Sequence, residues 1–190
     1  MESGLENRVV LVTGASGGIG SSMVRAFLAE DSKVAVHYGN QRDSAEKLAT
    51  ESEGRAKAFQ ADLTQEAEVA RLFGDIESEL GPVECVIANA GIWPAENVPI
   101  HEMTLTQWNK TLAVDLTSVF LTMRRFFIGI RNFELKDPSA VLIGSTAAVF
   151  GEAGHVDYAA AKAGISYGML QTLNCLLYTS DAADEGLGVD

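Results

Sequence analysis

Cysteine, proline, histidine, basic residues and long apolar runs are all scarce in this chain. There are two cysteines, Cys85 and Cys175, which is too few for a disulfide framework. Cys85 lies in an apolar run and is expected to pack as a small hydrophobe, which fits a reduced, cytoplasmic setting. The three histidines, His37, His101 and His155, have no metal-ligand spacing, so no metal is expected. No apolar run approaches the ~18 residues of a membrane span. Met1 to Arg8 is short and polar, without the apolar segment of a signal peptide. Fourteen Lys and Arg stand against 26 Asp and Glu, a formal net charge of −12. That balance argues against nonspecific binding to nucleic acid or to an anionic membrane. What remains is 190 residues with 47% hydrophobic content, enough for one domain with a real core, and with no internal repeat or low-complexity linker.

The chain is organised around Val9 to Gly20, Val-Val-Leu-Val-Thr-Gly-Ala-Ser-Gly-Gly-Ile-Gly. Val9 to Val12 form a short apolar run, as in a strand buried on both faces of a parallel sheet. Gly14, Ser16, Gly18, Ile19 and Gly20 then span a sharp turn into a helix expected from about Ile19 to Glu30. Glycine lets the backbone approach a phosphate with its N–H groups, and the helix N-terminus adds partial positive charge. Strand, Gly-rich turn and helix start together make a pyrophosphate cradle.

Downstream, the chain alternates strands and helices. Strands are expected at Lys33–Tyr38, Ala56–Gln60, Val83–Ala88 and Ala140–Ser145. Helices are expected over Arg42–Ser52, from an N-cap at Thr64 to about Leu80, from Thr104 or Thr106 to about Arg131, and from Asp157 to about Leu173. This alternation implies an α/β fold, a Rossmann-like doubly wound parallel sheet with helices on both faces. Sites in such sheets lie beyond the carboxyl ends of the strands, where Gly14, Tyr38, Asp62, Asn89 and Ser145 fall.

Tyr158 and Lys162 stand four apart, on one helix face. A phenol with a pKa of about 10 is a poor base at neutral pH, and a nearby ammonium favours its ionised form. Such a pair can exchange a proton with a carbinol oxygen. Ser145, at the end of the preceding strand, could hydrogen-bond the same oxygen.

The Thr13-Gly14-x-x-x-Gly18-Ile19-Gly20 spacing, Asn89-Ala90-Gly91, Ser145 and the Tyr158-x-x-x-Lys162 pair resemble, in order and spacing, the short-chain dehydrogenase/reductase family. The resemblance holds to about Asn174. It implies that Tyr158 is the general acid/base, that Ser145 orients the substrate oxygen, and that Lys162 binds the nicotinamide ribose and tunes Tyr158. It places Asp62 and Leu63 against adenine and Asn89, Ala90 and Gly91 along the cofactor. The family usually has Asn in a Val-Asn-Leu-Thr stretch of the long helix, holding a water near the lysine. Here the stretch is Val114-Asp115-Leu116-Thr117, so Asp115 enters the catalytic set with an added negative charge.

An acid at the end of the second strand would bind the adenosine ribose and repel a 2′-phosphate. Tyr38 occupies that place, and Arg42 beyond it could pair with a phosphate, so NADP is expected over NAD, with NAD still open. On this reading Tyr38→Asp should reverse the preference. The expected reaction is hydride transfer between nicotinamide and a carbonyl or secondary alcohol, with a 3-oxoacyl-thioester reductase as one member of that class. A noncatalytic dinucleotide-binding module and a related epimerase or dehydratase are the alternatives. The partner is a small molecule, and the resemblance implies a homo-oligomeric full-length parent. Trp93 and His155 are read as ordinary loop residues.

Residues 175–190 depart from this pattern. Family members continue with two more strands and a substrate-covering segment. Cys175 to Glu185 instead resembles a translated transposon-type sequencing adapter, and the stretch adds four acidic residues and no basic ones. The expectation is an incomplete domain over residues 1–174, with a non-native tail, an uncovered sheet edge, poor solubility and little turnover.

Overall fold

The computed structural model describes residues 3–177. Five strands form one parallel sheet in the order β3-β2-β1-β4-β5. They are β1 (Val9–Val12), β2 (Lys33–Tyr38), β3 (Ala56–Gln60), β4 (Cys85–Ala88) and β5 (Ser139–Leu142). Helices α1 (Gly18–Ala29), α2 (Arg42–Thr50) and α3 (Glu66–Glu79) alternate with the first four strands. A long helix follows, made of α4 (Leu105–Leu112), a π turn (Ala113–Thr117) and α5 (Ser118–Phe133). After β5 come the short α6 (Ala147–Phe150), then α7 (Val156–Ala163), a second π turn (Gly164–Met169) and α8 (Leu170–Leu177). The expected Rossmann-like doubly wound architecture is what forms.

The sheet separates two apolar layers. On one face Val10, Val12, Val34 and Val36 pack with Val24 of α1 and Ala45 and Leu48 of α2. On the other, Leu11, Ala35 and Val86 meet Leu72, Phe73 and Ile76 of α3 and Val119 and Phe126 of α5. All four residues of β1 are buried, which is why the first strand reads as an unbroken apolar run rather than an alternating one. Fully burying each such side chain contributes about 1.5–3 kcal/mol before chain entropy is counted. Cys85 belongs to the α1/α2 layer, and burial pushes its thiol pKa up, as expected of a packing cysteine.

Local chemistry sets the helix ends. Thr104 caps α4, its side chain accepting from Gln107 N–H at 3.1 Å. Thr64, expected as the cap of α3, does another job. Its N–H and hydroxyl both donate to Asp62 Oδ1, at 2.9 and 2.7 Å, and α3 begins two residues later with Gln65 as its cap. The last helix runs through Asn174 to Leu177, past the expected end at Leu173. The rest of the expected tail lies outside the described residues. β5 is an edge strand, with Val141 47% exposed.

Candidate active site and dinucleotide cavity

The order of the sheet reverses at β1, where β2 leads away on one side and β4 on the other. A cavity of about 610 Å³ opens beyond the carboxyl ends of these strands, the usual place for a ligand in such a sheet. Its walls come from the β1 turn (Gly14, Ser16, Gly17), the residues around the end of β2 (His37, Gly39, Asn40, Gln41), Asp62, Leu63 and Thr64 after β3, Ala90, Gly91 and Ile92 after β4, and Lys110 and Val114 of the long helix.

The turn after β1 is built by contacts that only glycine permits at two points. Gly14 has φ +61°, and a Cβ there would lie 2.9 Å from Ala90 Cα. A Cβ on Gly20 would meet Gly14 O at 2.4 Å and Ala15 Cα at 2.8 Å. Asn89 locks the turn from the side, its Nδ2 donating to Thr13 O at 2.9 Å and Gly14 O at 3.2 Å. Asn89 is therefore a scaffold of the turn, while Ala90 and Gly91 line the cavity itself. Helix α1 starts at Gly18, one residue before its expected start, and Ile19 is 63% exposed. The amides of Ser16, Gly18, Ile19 and Gly20 find no backbone acceptor among the described residues. That set of free donors at a helix N-terminus suits an anionic pyrophosphate.

At the rim of β2 the structure differs from the sequence reading. Side chains alternate along the strand, and Tyr38 falls on the same side as Val34 and Val36. It is 8% exposed, inside the α1/α2 layer, and does not line the cavity. Arg42 opens α2, is well exposed, and pairs with Glu46 at 2.6 Å instead of facing the cavity. Gly39, Asn40 and Gln41 form the rim in their place.

His37, given no role from sequence, is buried at the base of this rim, 3% exposed. Its Nδ1 accepts from Gly14 N–H at 3.0 Å, and its Nε2 lies 3.1 Å from Ala61 O. An amide can only donate and a carbonyl can only accept, so the ring carries its proton on Nε2 and is neutral. Burial lowers its pKa to about 4, against the raising effect of the Ala61 carbonyl.

Of the catalytic candidates, Asp115, Lys162 and Tyr158 come together near Gly91. Asp115 sits in the first π turn, fully buried. Its Oδ1 accepts from Ile92 N–H at 2.8 Å. Its Oδ2 has no hydrogen-bond partner and lies 4.0 Å from Lys162 Nζ. Lys162 Nζ donates to Ile143 O at 3.2 Å and stands 5.6 Å from the centre of the Tyr158 ring. Burial pushes the Asp115 carboxyl pKa up, opposed by the Ile92 N–H and the Lys162 charge. Burial likewise pushes the Lys162 ammonium down, opposed by Asp115. A Cβ on Gly91 would lie 3.4 Å from both Asp115 Oδ2 and Lys162 Nζ. β5 ends at Leu142 and not at Ser145 as expected, so Ser145 lies in the loop between β5 and α6, where its Oγ accepts from Ala147 N–H at 3.2 Å.

Near Tyr158 stand Asp157, given no role from sequence, and Trp93 and His155, read from sequence as ordinary loop residues. Asp157 is fully buried and accepts from Thr111 Oγ1 at 2.7 Å and from Gln107 Nε2 at 3.3 Å, tying α7 to α4. Trp93 is stacked on His155, ring centres 4.1 Å apart, and meets Tyr158 edge-on at 4.7 Å. His155 Nε2 is 2.7 Å from Asn97 Oδ1, which fastens the loop after β4 over the start of α7. An acid beside a tyrosine and an aromatic in a loop are too common for spacing alone to have found them.

A buried carboxylate, an ammonium and a phenol thus stand beside a Gly-rich cavity at the point where the strand order of an α/β sheet reverses. The profile of the family described as short chain dehydrogenase matches residues 8–180, and the chain belongs to that family, whose members work with nicotinamide dinucleotides. Among curated proteins, it is 33% identical to 3beta-hydroxysteroid dehydrogenase 1 of Eggerthella lenta, over 100% of this chain and 70% of that protein. It is 34% identical to an acetoacetyl-CoA reductase of Rhizobium meliloti, over 83% of this chain and 63% of that protein. It is 32% identical to a cis-4-hydroxycyclohexanecarboxylate dehydrogenase of Sinomonas cyclohexanicum, over 87% of this chain and 66% of that protein. The chain thus spans about two thirds of the length of these relatives.

Proposed function

We propose that the protein is an oxidoreductase that interconverts a carbonyl and a secondary alcohol, with NADP(H) preferred over NAD(H). The observation that carries this reading is the position of Gly91. It lines the cavity, and a Cβ added to it would lie 3.4 Å from both Asp115 Oδ2 and Lys162 Nζ, so the proton-handling groups adjoin the dinucleotide space. A nicotinamide held in this cavity would supply or take the hydride. Tyr158 exchanges the proton with the substrate oxygen, and Ser145 donates a hydrogen bond to that oxygen. Lys162 stabilises the tyrosinate and holds the ribose. Asp115, ionised, moderates the lysine and buttresses the loop after β4 through Ile92 N–H. A 3-oxoacyl thioester or an alicyclic ketone fits the reactions named for the relatives.

The fit to the dinucleotide rests on the free amides of the turn and on the absence of a carboxylate among Gly39, Asn40 and Gln41 at the β2 rim. An acid there would repel a 2′-phosphate. Arg42, one residue further on, is exposed and free to turn towards a phosphate from its pairing with Glu46. The partners in this reading are a small-molecule substrate and further copies of the same chain. Its setting is the cytoplasm, with no nucleic-acid or membrane role. No helix among the described residues is long and apolar enough to cross a membrane.

The test is stoichiometric oxidation of NADPH with a panel of cyclic ketones and 3-oxoacyl thioesters, beside nucleotide binding. Tyr158→Phe should abolish turnover and leave NADPH binding within about threefold. Binding without turnover over the whole panel would favour a noncatalytic module, and turnover with only catalytic amounts of nucleotide would favour an epimerase or dehydratase.

A further inference from the structure

Seven backbone donors, those of residues 14–20, crowd the turn after β1, and they do not all point the same way. Ala15 N–H donates to the backbone O of His37 at 2.9 Å, and Gly14 N–H donates to the ring of the same residue at 3.0 Å. Gly17 N–H folds back on Gly14 O at 3.2 Å. The turn is therefore stitched twice to one residue of β2, and the amides left over are those at the mouth of α1. His37 is itself moored on the far side, where Nε2 reaches Ala61 O at the end of β3. The imidazole spans from the phosphate-side wall of the cavity to the adenine-side wall, and it lines the cavity floor between them.

We infer that His37 is a positioning residue for the dinucleotide: by holding Gly14 N–H on Nδ1, it fixes the turn in the orientation that presents its remaining amides to the pyrophosphate. The inference rests on the dinucleotide reading of the cavity. His37 touches no reacting atom. It determines affinity for the nucleotide, and leaves the chemical step at saturation to Tyr158 and its neighbours.

The two ring nitrogens can be separated by substitution. Asn at this position places its side-chain oxygen where Nδ1 stands, and keeps an acceptor for Gly14 N–H. Gln reaches only to the Nε2 position, and keeps a donor for Ala61 O. His37→Asn, His37→Gln and His37→Leu are compared with the unaltered chain by NADPH fluorescence titration, by thermal melting, and by hydrogen exchange of the Gly14 amide. The expected result is NADPH affinity within about threefold of the unaltered protein for His37→Asn, and a loss of about tenfold or more for His37→Gln and His37→Leu. Gly14 amide protection should follow the same split, and melting temperature should not. Equal losses in Asn and Gln, or losses that simply track melting temperature, would reduce His37 to a packing residue and overturn the inference. A His37→Leu variant that binds as tightly as the unaltered chain would do the same. Failure of the unaltered chain to bind NADPH or NADH at all is a different outcome. It removes the dinucleotide reading, and the inference with it.

Discussion

Between pH 7 and pH 4 the unfolded chain takes a proton on His37 that the folded chain refuses. The imidazole is buried, receives an N–H on one nitrogen and gives its only proton to a carbonyl on the other. Its pKa falls from 6.5 to about 4 on folding. A base with a depressed folded pKa contributes stability that is fully present above the unfolded value, here 6.5, and is lost as pH falls towards the folded value of about 4. The difference of about 2.5 units corresponds to about 3 kcal/mol, lost at up to about 1.4 kcal/mol per pH unit. Against a typical domain stability of about 5–15 kcal/mol this is a large share. Urea unfolding, followed by circular dichroism at pH 7, 6, 5 and 4.5, should show the unaltered protein losing stability faster than His37→Asn, whose amide does not titrate. Carboxylates common to both proteins cancel in the difference. The variant should start less stable at pH 7, having lost the Ala61 bond, and the two curves should converge towards acid. Curves that stay parallel from pH 7 to pH 4.5 would refute the argument, because a constant offset means that no proton is linked to this site.

Asp115 Oδ2 and Lys162 Nζ stand 4.0 Å apart, and each opposes the shift that burial imposes on the other. Removing the negative member should let Lys162 act more strongly on Tyr158. Asp115→Asn should therefore move the rising limb of the alcohol-oxidation pH–rate profile, at saturating nucleotide, towards acid; superimposable profiles would remove the electrostatic role of Asp115. Gly39→Asp should turn the NADPH preference towards NADH by tenfold or more in the ratio of kcat/KM values, since a Cβ at Gly39 meets nothing within 4 Å and the residue lines the cavity. Gly20→Ala should cost about 2–3 kcal/mol of stability by denaturant unfolding and weaken NADPH binding, because its methyl group would press on Gly14 O and Ala15 Cα.

The fold was legible because its signals are local and repeat. Unbroken apolar runs marked the strands β1 and β4, which are buried on both faces, and an apolar stripe at Val69, Leu72, Phe73 and Ile76 marked α3. The Gly turn and the Tyr158–Lys162 pair were legible because each needs fixed residue types at fixed spacing. The rim of β2 was misread because strand position was taken to give side-chain position. Counting along the chain placed Tyr38 at the right strand end, yet the pleat sends its ring into the core and leaves His37 facing the cavity. A cue was present, since in Lys-Val-Ala-Val-His-Tyr the two valines and the tyrosine share one parity. Nothing local could have found the bond from His37 to Gly14, which joins residues 23 apart. The same holds for Asp157 with Thr111, 46 apart, where long-range packing decides the role.

The two π turns have a consequence for changes in chain length. Each holds one residue more than an α-helical turn would, and the two are packed together: a Cβ on Gly164, at the start of the second, would lie 3.1 Å from Leu116 Cδ1 in the first. Removing a single residue from Ala113–Thr117 would let the helix relax to uniform α geometry while the segments on either side keep the faces they now present. The change would fall on the turn itself, where Asp115 accepts from Ile92 N–H and stands 4.0 Å from Lys162 Nζ. A one-residue deletion in this stretch therefore acts on the site, and leaves the Val119 and Phe126 side of α5 on the sheet. In comparisons of this chain with other sequences, a gap of one placed in either π turn marks the loss of the bulge and not a change of helix face.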